Sequence, residues 1–395
     1  MVSAAEWARR ADAAEAAILA RHVRRLWSLP DRRLGVVGWP AHRRERAFMV
    51  WDYWWQAHLI DCAVDAAVRA PSDVRTDRVA DLVRGVRTRN ITGWTNALYD
   101  DMAWLAIALN RADALLGLDY REPLAALTQR LYTAWAPQRG GGIPWRVGSN
   151  FYNAPANGPA GIVLARTLCA GASEATGNVT GASEATGDVT GASEATGNVT
   201  ERATAMADWL DATLRDPESG LILDGVRQPG GRLDRAIYTY CQGVVLGLET
   251  ELAKLGRGGR HCERVARLVD AVADRLAPGG VIVGAGGGDG GLFGGILARY
   301  LALVATELPD AVDVRERAAA LVTASAEAAW ENRREFEGGP LFSTEWTQPA
   351  QLPERGEQPP RKAGVVRSSI PERDLSVQLS GWMVLEAAYR VAQAG

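Results

Sequence analysis

The sequence predicts an all-α protein, and more specifically an (α/α)6 barrel, which is a toroid of six helical hairpins. Three observations support this fold class. About twelve segments show the helical spacing of apolar residues, and almost none shows the alternation of a strand. Long and short connections alternate along the chain. Every second helix is apolar on most of its sides, as expected of a helix inside a ring of others.

Helical periodicity gives the segments in order, with the boundary error that such patterns carry. The predicted helices span 4–28, 42–69, 74–88, 97–116, 122–136, 156–170, 201–215, 236–255, 260–276, 292–306, 312–332 and 374–393. Those at 97–116 and 236–255 contain long apolar runs with little polar face, so the even-numbered helices are assigned to the inner ring.

The connections indicate which end of the barrel carries the function. Those leading into even-numbered helices are mostly long and rich in Gly, Pro and aromatic residues: 137–155, 216–235, 277–291 and 333–373. Those leading into odd-numbered helices are mostly short: 70–73, 117–121, 256–259 and 307–311. If successive helices run up and down, all the long loops share one face. The N-terminal ends of the inner helices, with their positive dipole ends, then converge on one mouth.

Composition favours a soluble protein that acts on a neutral molecule. The chain has 395 residues, 47% of them hydrophobic, and a net charge of −3, which does not favour binding to nucleic acid or to an anionic membrane. No segment approaches the ~20 apolar residues that span a bilayer. Five charged residues, Glu6, Arg9, Arg10, Asp12 and Glu15, interrupt the first fifteen positions, where a signal peptide would be apolar, so a cytoplasmic location is expected.

Cysteine and histidine usage predicts neither disulfides nor a bound metal. The four cysteines, Cys62, Cys169, Cys241 and Cys262, are scattered singly and are interpreted as packing residues. The four histidines form no metal-ligand pattern, and no cofactor is expected.

Residues 1–395 are expected to form a single catalytic domain that carries one low-complexity insertion. Residues 171–200 are three near-copies of Gly-Ala-Ser-Glu-Ala-Thr-Gly-Asn-Val-Thr, with Asp188 in place of Asn in the second copy. A ten-residue period without large apolar residues cannot build a solenoid core, so the segment is predicted to be a mobile surface loop. Its position before the seventh helix puts it on the face away from the mouth, and its deletion is expected to leave turnover almost unchanged.

Two adjacent acids, Asp100 and Asp101, open the helix at 97–116, and the next eight residues are all apolar. Consecutive helical side chains diverge by about 100°, which allows their carboxyl groups to stand roughly 5 to 6 Å apart, as in retaining glycosidases. Two carboxyl groups at that distance cannot both ionise easily, which raises the pKa of one of them. A protonated general acid can therefore stand beside an ionised nucleophile. Taken alone, the pair is better explained as an ordinary helix N-cap with favourable charge on the dipole, and the context has to favour the catalytic interpretation.

Other residues at the predicted mouth favour sugar recognition, which needs flat apolar faces for the ring and fixed polar groups for the hydroxyls. They are Asp100, Asp101, Tyr152, Asn153, Asn157, Tyr238, Tyr240, Gln242, Asp289, Phe293 and Gln378. Any single aromatic residue at a helix start is slightly better explained by core packing. Because five loops bring residues of these types to the predicted mouth, a sugar-binding site is favoured.

Several segments resemble those of glycoside hydrolase family 76, the α-1,6-mannanases, in order over nearly the whole chain. They are Tyr-Asp-Asp (99–101), Gly-Gly-Ile-Pro-Trp (141–145), Asn-Ala-Pro-Ala-Asn-Gly-Pro-Ala (153–160), Thr-Tyr-Cys-Gln-Gly (239–243) and Gly-Asp-Gly-Gly-Leu-Phe-Gly-Gly-Ile (288–296). The resemblance implies an (α/α)6 barrel, endo cleavage of α-1,6-linked mannose with retention, and an α-mannoside oligo- or polysaccharide as substrate.

By that resemblance Asp100 is the nucleophile and Asp101 the general acid and base, whereas the sequence alone treats the two acids symmetrically. Substrate contacts are expected from residues in or beside the matching segments: Trp94, Trp145, Tyr152, Asn153, Asp224, Tyr240, Gln242 and Phe293. Two positions depart from the family pattern. Cys241 stands where Asn is common, and Met102 follows the acids where a polar residue is frequent, so subsite preference is expected to differ.

Two alternatives of different class remain open at this stage. A sugar isomerase or epimerase on the same scaffold would need histidine bases at the mouth, and only His58 lies on an even-numbered helix. A catalytically silent carbohydrate-binding protein would keep the site without turnover. Prenyl-diphosphate chemistry also uses helical aspartate pairs, but this segment lacks the third acid that a magnesium cluster needs.

Overall fold

The computed structural model describes residues 2–177, 189–257, 259–353 and 368–395. Its helices are α1 Ala4–Arg21, α2 Arg43–Arg46, α3 Tyr53–Arg69, α4 Asp73–Arg89, α5 Tyr99–Leu116, α6 Arg121–Thr133, α7 Ala154–Gly177, α8 Val189–Leu214, α9 Thr239–Leu252, α10 Arg260–Leu276, α11 Phe293–Glu307, α12 Val312–Glu331 and α13 Leu375–Ala394.

Six helices form a closed inner ring. In chain order α3, α5, α7, α9, α11 and α13 each pack against the next, and α13 closes the ring by packing on α3. The helices α1, α4, α6, α8, α10 and α12 lie outside and pack on the inner helices beside them. The predicted (α/α)6 barrel is therefore confirmed.

The apolar pattern explains which helices lie inside. In α5 the residues from Met102 to Leu109 are all buried, and in α9 almost every side chain is buried. The outer helix α10 instead buries a stripe at Val265, Leu268, Val269 and Val272, and its other faces carry charged residues. A helix that is apolar all round needs neighbours on every side, whereas a helix with one apolar stripe needs a neighbour on one side only.

Short antiparallel strands join the loops at one end of the barrel. The strands are β1 Val23–Arg25, β2 Arg33–Gly35, β3 Phe151–Asn153, β4 Gly225–Arg227, β5 Arg232–Asp234, β6 Arg334–Phe336 and β7 Gly339–Leu341. β1 pairs with β2, and β6 pairs with β7. The sheet β3–β4–β5 joins the loop before α7 to the loop before α9, with Phe151 opposite Arg227 and Asn153 opposite Gly225.

The predicted helices at 4–28 and 42–69 are wrong at their facing ends. The first ends at Arg21, and the second begins only at Tyr53 after the single turn α2. The residues between form the β1–β2 hairpin and irregular loops. The apolar content of this segment favoured helix in the sequence. The structure buries its apolar residues against the barrel from irregularly spaced positions: Leu26, Leu34, Val36, Val37 and Phe48.

The repeat segment also differs from the expected loop. Helix α7 continues to Gly177 and α8 begins at Val189, so the described ends of the 171–200 segment are helical. Residues 178–188 lie outside the described part of the chain. The end of α7 is the end away from the N-termini of the inner helices, which agrees with the predicted face.

Ion pairs lie among the inner helices toward the end opposite the N-termini. Arg299 pairs with Asp61 at 2.9 Å and with Asp65 at 2.7 Å, and Arg111 pairs with the same two acids. Arg166 pairs with Glu251 at 2.7 Å. Each of these arginines pairs with an acid on another inner helix, so the ion pairs link the inner helices at this end. In the described residues, no helix is both long enough and apolar enough to cross a membrane.

Candidate active site

A cleft of about 1270 Å³ opens at the N-terminal ends of the inner helices. Residues of α3, α5 and α9, the first residue of α11 and the loops before these helices line it. Its walls are rich in acids, amides and aromatic rings: Trp51, Asp52, Tyr53, Trp54, Asn90, Asn96, Asp100, Asp101, Trp104, Trp145, Asn150, Phe151, Asn153, Asp224, Tyr238, Tyr240, Asp289 and Phe293. The cleft lies on the face that the long loops predicted.

Asp100 and Asp101 occupy the second and third positions of α5, at the positive end of its dipole. Asp100 accepts two hydrogen bonds, at 3.0 Å from the indole Nε1 of Trp145 and at 2.9 Å from the backbone N–H of Asp101. Asp101 is buried and accepts a hydrogen bond at 2.6 Å from Nδ2 of Asn96. The two carboxyl groups therefore differ in environment although they are adjacent in sequence.

That difference separates the proton affinities of the pair. Desolvation raises the pKa of Asp100 to about 7, against which its two hydrogen-bond donors favour the ionised form. Desolvation and the neighbouring charge of Asp100 raise the pKa of Asp101 well above its ordinary value. Near neutral pH the arrangement favours an ionised Asp100 beside a protonated Asp101. Those are the states that a nucleophile and a general acid require.

Two further carboxyl groups share the cleft. Asp52 directly precedes α3, and burial together with the charge of Asp289 raises its pKa to about 8. Asp289 accepts hydrogen bonds on Oδ1 from the indoles of Trp54 at 3.2 Å and Trp55 at 3.1 Å. Burial raises the pKa of Asp289 above its ordinary value. The cleft thus gathers hydrogen-bonding carboxyl groups that a sugar's hydroxyls can meet.

Aromatic rings form one wall of the cleft. Tyr240 and Phe293 stack with ring centroids 3.9 Å apart and planes 10° from parallel. Trp54 lies beside both, with its ring centroid 6.4 Å from that of Tyr240 and 6.5 Å from that of Phe293. Tyr238 packs 5.3 Å from Phe293. Such a wall offers flat apolar surface to the C–H face of a sugar ring.

Asp224 reaches the cleft through the three-stranded sheet. Its backbone carbonyl accepts the N–H of Ala154 at 2.8 Å, which fixes the loop before α9 to the start of α7. Its side chain lies 3.9 Å from the thiol of Cys241, and burial raises its pKa to about 6. Cys241 is buried against the site, so the replacement at this position changes a contact with Asp224.

Most of the predicted site residues meet at the cleft, and three do not. Those that line it are Asp100, Asp101, Trp145, Asn153, Asp224, Tyr240 and Phe293. Trp94 packs against the hydrophobic core, with its carbonyl accepting the hydroxyl of Tyr53 at 2.6 Å. Tyr152 is buried in the core. Gln242 is fully buried and faces the protein backbone.

Gln242 belongs to a set of four buried amides that hold the mouth loops. Its Oε1 accepts the N–H of Ile222 at 2.7 Å, and its Nε2 donates to the carbonyls of Ile222 and Tyr238, both at 2.9 Å. Equivalent side chains clamp other loops in the same way, each at the fourth position of its inner helix: Gln56 on Gly35, Asn157 on Ile143 and Gln378 on Phe342. Asn157, Gln242 and Gln378 were expected at the mouth, and they instead fix its loops from beneath.

The pattern has two exceptions among the inner helices. The fourth residue of α5 is Met102, and that of α11 is Ile296. The loop before α5 is fixed differently, by a hydrogen bond of 3.0 Å from the N–H of Tyr99 to the carbonyl of Trp145. Met102 is wholly buried, so this departure from the family pattern is a packing residue.

Several residues that line the cleft were not predicted as site residues from the sequence, among them Asp52, Trp51, Trp54, Asn96 and Asn150. Asp52, Trp51 and Trp54 were placed inside a continuous helix from 42 to 69, and so were not recognised as a helix start. A local signal was present, since an acid is directly followed by Tyr-Trp-Trp at residues 52–55.

Histidines do not contribute to the cleft, since none of the four lines it. His58 is buried on α3 between Trp54 and Trp104, and desolvation lowers its pKa to about 3. An isomerase would need a histidine base that meets the substrate, and the described residues supply none there. No group of three His, Cys, Asp or Glu residues within the described ranges forms a metal-binding arrangement.

The structure is thus an (α/α)6 barrel with paired carboxyl groups in a cleft lined by aromatic rings. A family model described as glycosyl hydrolase family 76 matches residues 192–369. The structure is similar to the GH76A α-1,6-mannanase of Salegentibacter sp. HEL1_6, with a TM-score of 0.77 and 26% identity over 97% of this chain and 98% of that one. An inactive variant of that enzyme is known in complex with α-1,6-mannotriose.

Two more distant structures share the fold. The Lin0763 protein of Listeria innocua has a TM-score of 0.76 and 22% identity, over 97% of this chain and 96% of that one. Dfg5 of Chaetomium thermophilum, in complex with glucosamine, has a TM-score of 0.70 and 16% identity, over 98% and 90%. None of the curated protein sequences matches the chain. The resemblance to glycoside hydrolase family 76 found in the sequence motifs is confirmed by this partial match to the family model and by the structural similarity to an α-1,6-mannanase.

Proposed function

We propose that this protein is a retaining glycoside hydrolase that cleaves α-1,6-mannosidic linkages with Asp100 as nucleophile and Asp101 as general acid and base. The observation that carries the proposal is the unequal pair itself. Asp100 holds two hydrogen-bond donors that favour its ionised form, whereas Asp101 has the more strongly raised pKa. The inactive Salegentibacter variant that binds α-1,6-mannotriose carries replacements of two consecutive aspartates, which supports the same pairing.

In the first half of the reaction, a carboxylate oxygen of Asp100 attacks the anomeric carbon and forms a glycosyl ester. The bond from that carbon to the glycosidic oxygen breaks, and Asp101 gives its proton to the departing oxygen. In the second half, Asp101 takes a proton from water, and the resulting hydroxide attacks the same carbon. Asp100 leaves as a carboxylate, and two inversions give net retention.

The surrounding cleft supplies binding and orientation. The stacked Tyr240 and Phe293 offer an apolar surface to a sugar ring, and Asp289 and Asn153 provide fixed polar groups for hydroxyls. Binding energy from these contacts holds the anomeric carbon against Asp100, which lowers the entropic part of the barrier.

The test is incubation of the full chain with α-1,6-mannobiose to α-1,6-mannohexaose, with the anomeric protons followed by NMR. We expect the α-anomer to be released first. Initial release of the β-anomer would reject the double displacement. Binding of mannotriose without any cleavage would instead identify a silent carbohydrate-binding protein, in which Asp100→Asn has no turnover to remove.

A further inference from the structure

A cluster of apolar residues is exposed on the mouth face beside the cleft. Trp27 is 54% exposed, Met49 is 63% exposed and Ile91 is 92% exposed. Trp27 and Met49 lie in the connection from α1 to α3, and Ile91 lies in the connection from α4 to α5. Both connections arrive at the N-terminal ends of inner helices, so all three residues belong to the face that carries the cleft. We call these three residues the rim patch.

The backbone beneath the rim patch is strained. Among the described residues, four other than glycine have φ in the left-handed region, and three of them are Trp27, Ser28 and Phe48. Left-handed backbone is unfavourable for a bulky side chain and persists only where the surroundings impose it. Strain concentrated at one loop contact, under an exposed tryptophan, is the pattern of a functional surface.

Specific contacts hold the tryptophan in place. The indole Nε1 of Trp27 donates to the carbonyl of Ala47 at 3.1 Å, so the ring is fixed at its polar edge while more than half of the residue stays exposed. Arg89 donates from Nε to the carbonyl of Phe48 at 2.8 Å. The guanidinium of Arg89 lies 4.9 Å from the ring centre of Trp51, which lines the cleft. Arg89 therefore joins the backbone at Phe48, which directly precedes Met49, to the cleft wall at Trp51.

The geometry points to the rim patch as a sugar-binding platform outside the cleft, which engages α-1,6-mannoside chains longer than the cleft holds. This inference rests on the proposed function. A fixed, exposed indole presents the flat apolar face on which a pyranose ring packs. Met49 lies two residues before Trp51 and Ile91 directly follows Asn90, and Trp51 and Asn90 both line the cleft, so a bound chain has a path from the cleft to the patch.

The test compares a long with a short substrate in the native chain, Trp27→Ala and Trp27→Phe. The readout is the ratio of kcat/KM for α-1,6-mannohexaose to that for α-1,6-mannotriose. Removing a well-placed aromatic contact costs about tenfold in binding, so we expect Trp27→Ala to lower the ratio by about tenfold. Phe should restore most of the ratio because it keeps a flat ring. Leu115→Ala is the matched control, since Leu115 is 52% exposed at the other end of α5.

A second readout keeps this inference separate from the proposed function. Calorimetric binding of mannohexaose and mannotriose is measured in an Asp100→Asn background, with and without Trp27→Ala. A selective loss of mannohexaose affinity supports the platform even if the native chain proves inactive, in which case only the proposed function fails. An equal loss for both sugars, or no loss, overturns the platform. A change in oligomeric state without change in sugar binding would assign the patch to a protein contact and likewise overturn it.

Discussion

Replacing Trp145 with Phe should move the acidic limb of the pH–rate profile to higher pH. The indole of Trp145 donates to Asp100 at 3.0 Å and favours the ionised carboxylate, whose pKa is raised to about 7. A hydrogen bond to a charged group contributes about 1.5 to 3 kcal/mol, and the lower end applies because Trp145 is partly exposed to competing water. At 1.36 kcal/mol per pKa unit, its loss raises the pKa of Asp100 by about one unit.

The assay is kcat/KM on α-1,6-mannotriose between pH 5 and pH 9. Since the nucleophile must be ionised, a shift of one unit lowers kcat/KM roughly tenfold at pH 6 and less than about twofold at pH 8. Trp330→Phe on the outer helix α12 is the control and should leave the profile in place. A uniform loss at every pH would show that Trp145 only contacts substrate, and a limb that moved to lower pH would refute the hydrogen-bond argument.

Three further predictions follow from the same contacts. Asp101→Asn should lower kcat/KM on mannohexaose by roughly 10²–10⁴, and by much less on a mannoside with an acidic phenol as leaving group, because kcat/KM reports formation of the glycosyl ester and that phenol needs no general acid; equal losses on both would argue against the role. Gln242→Leu leaves the N–H of Ile222 and two carbonyls without their buried partner, so urea unfolding should show a loss of about 2 to 4 kcal/mol. Asp52→Asn should raise the free energy of unfolding at pH 8 by at least about 1 kcal/mol. Folding raises the pKa of Asp52 to about 8, so between about pH 4 and pH 8 the native state keeps a proton that the unfolded state has released, and the stability present at pH 4 is lost by pH 8; equal effects at both pH values would contradict the assignment.

Much of the barrel could be predicted from the sequence because its inner helices are long and apolar on all sides. The inner helix predicted at 97–116 begins two residues later in the structure, at Tyr99. The outer helix predicted at 260–276 has the same two ends in the structure. The same reasoning failed at the β1–β2 hairpin and the loop that follows it. Strands of three residues are too short to show alternation, and the apolar residues of that connection pack on the barrel from irregular backbone.

The acid pair and the aromatic wall were predicted because their positions at helix starts are local features of the sequence. Gln242 and Asp224 show the limit of that approach. An amide at a helix start can face a sugar or a neighbouring loop, and only the fold shows that Gln242 clamps Ile222. Asp224 reaches the cleft because β3 pairs with β4 across more than seventy residues, and no local pattern records that pairing.

The assignment of Asp100 and Asp101 is tested most directly by azide rescue of Asp100→Ala and Asp101→Ala with 2,4-dinitrophenyl α-mannobioside. Without Asp100, azide enters from the face opposite the leaving group and should give the β-mannosyl azide. Without Asp101, Asp100 still forms the glycosyl ester, which azide opens from the other face to give the α-mannosyl azide. This pair of products is the predicted result. The reverse pair would exchange the two roles, and the absence of a mannosyl azide from both variants would contradict a catalytic function for the aspartates.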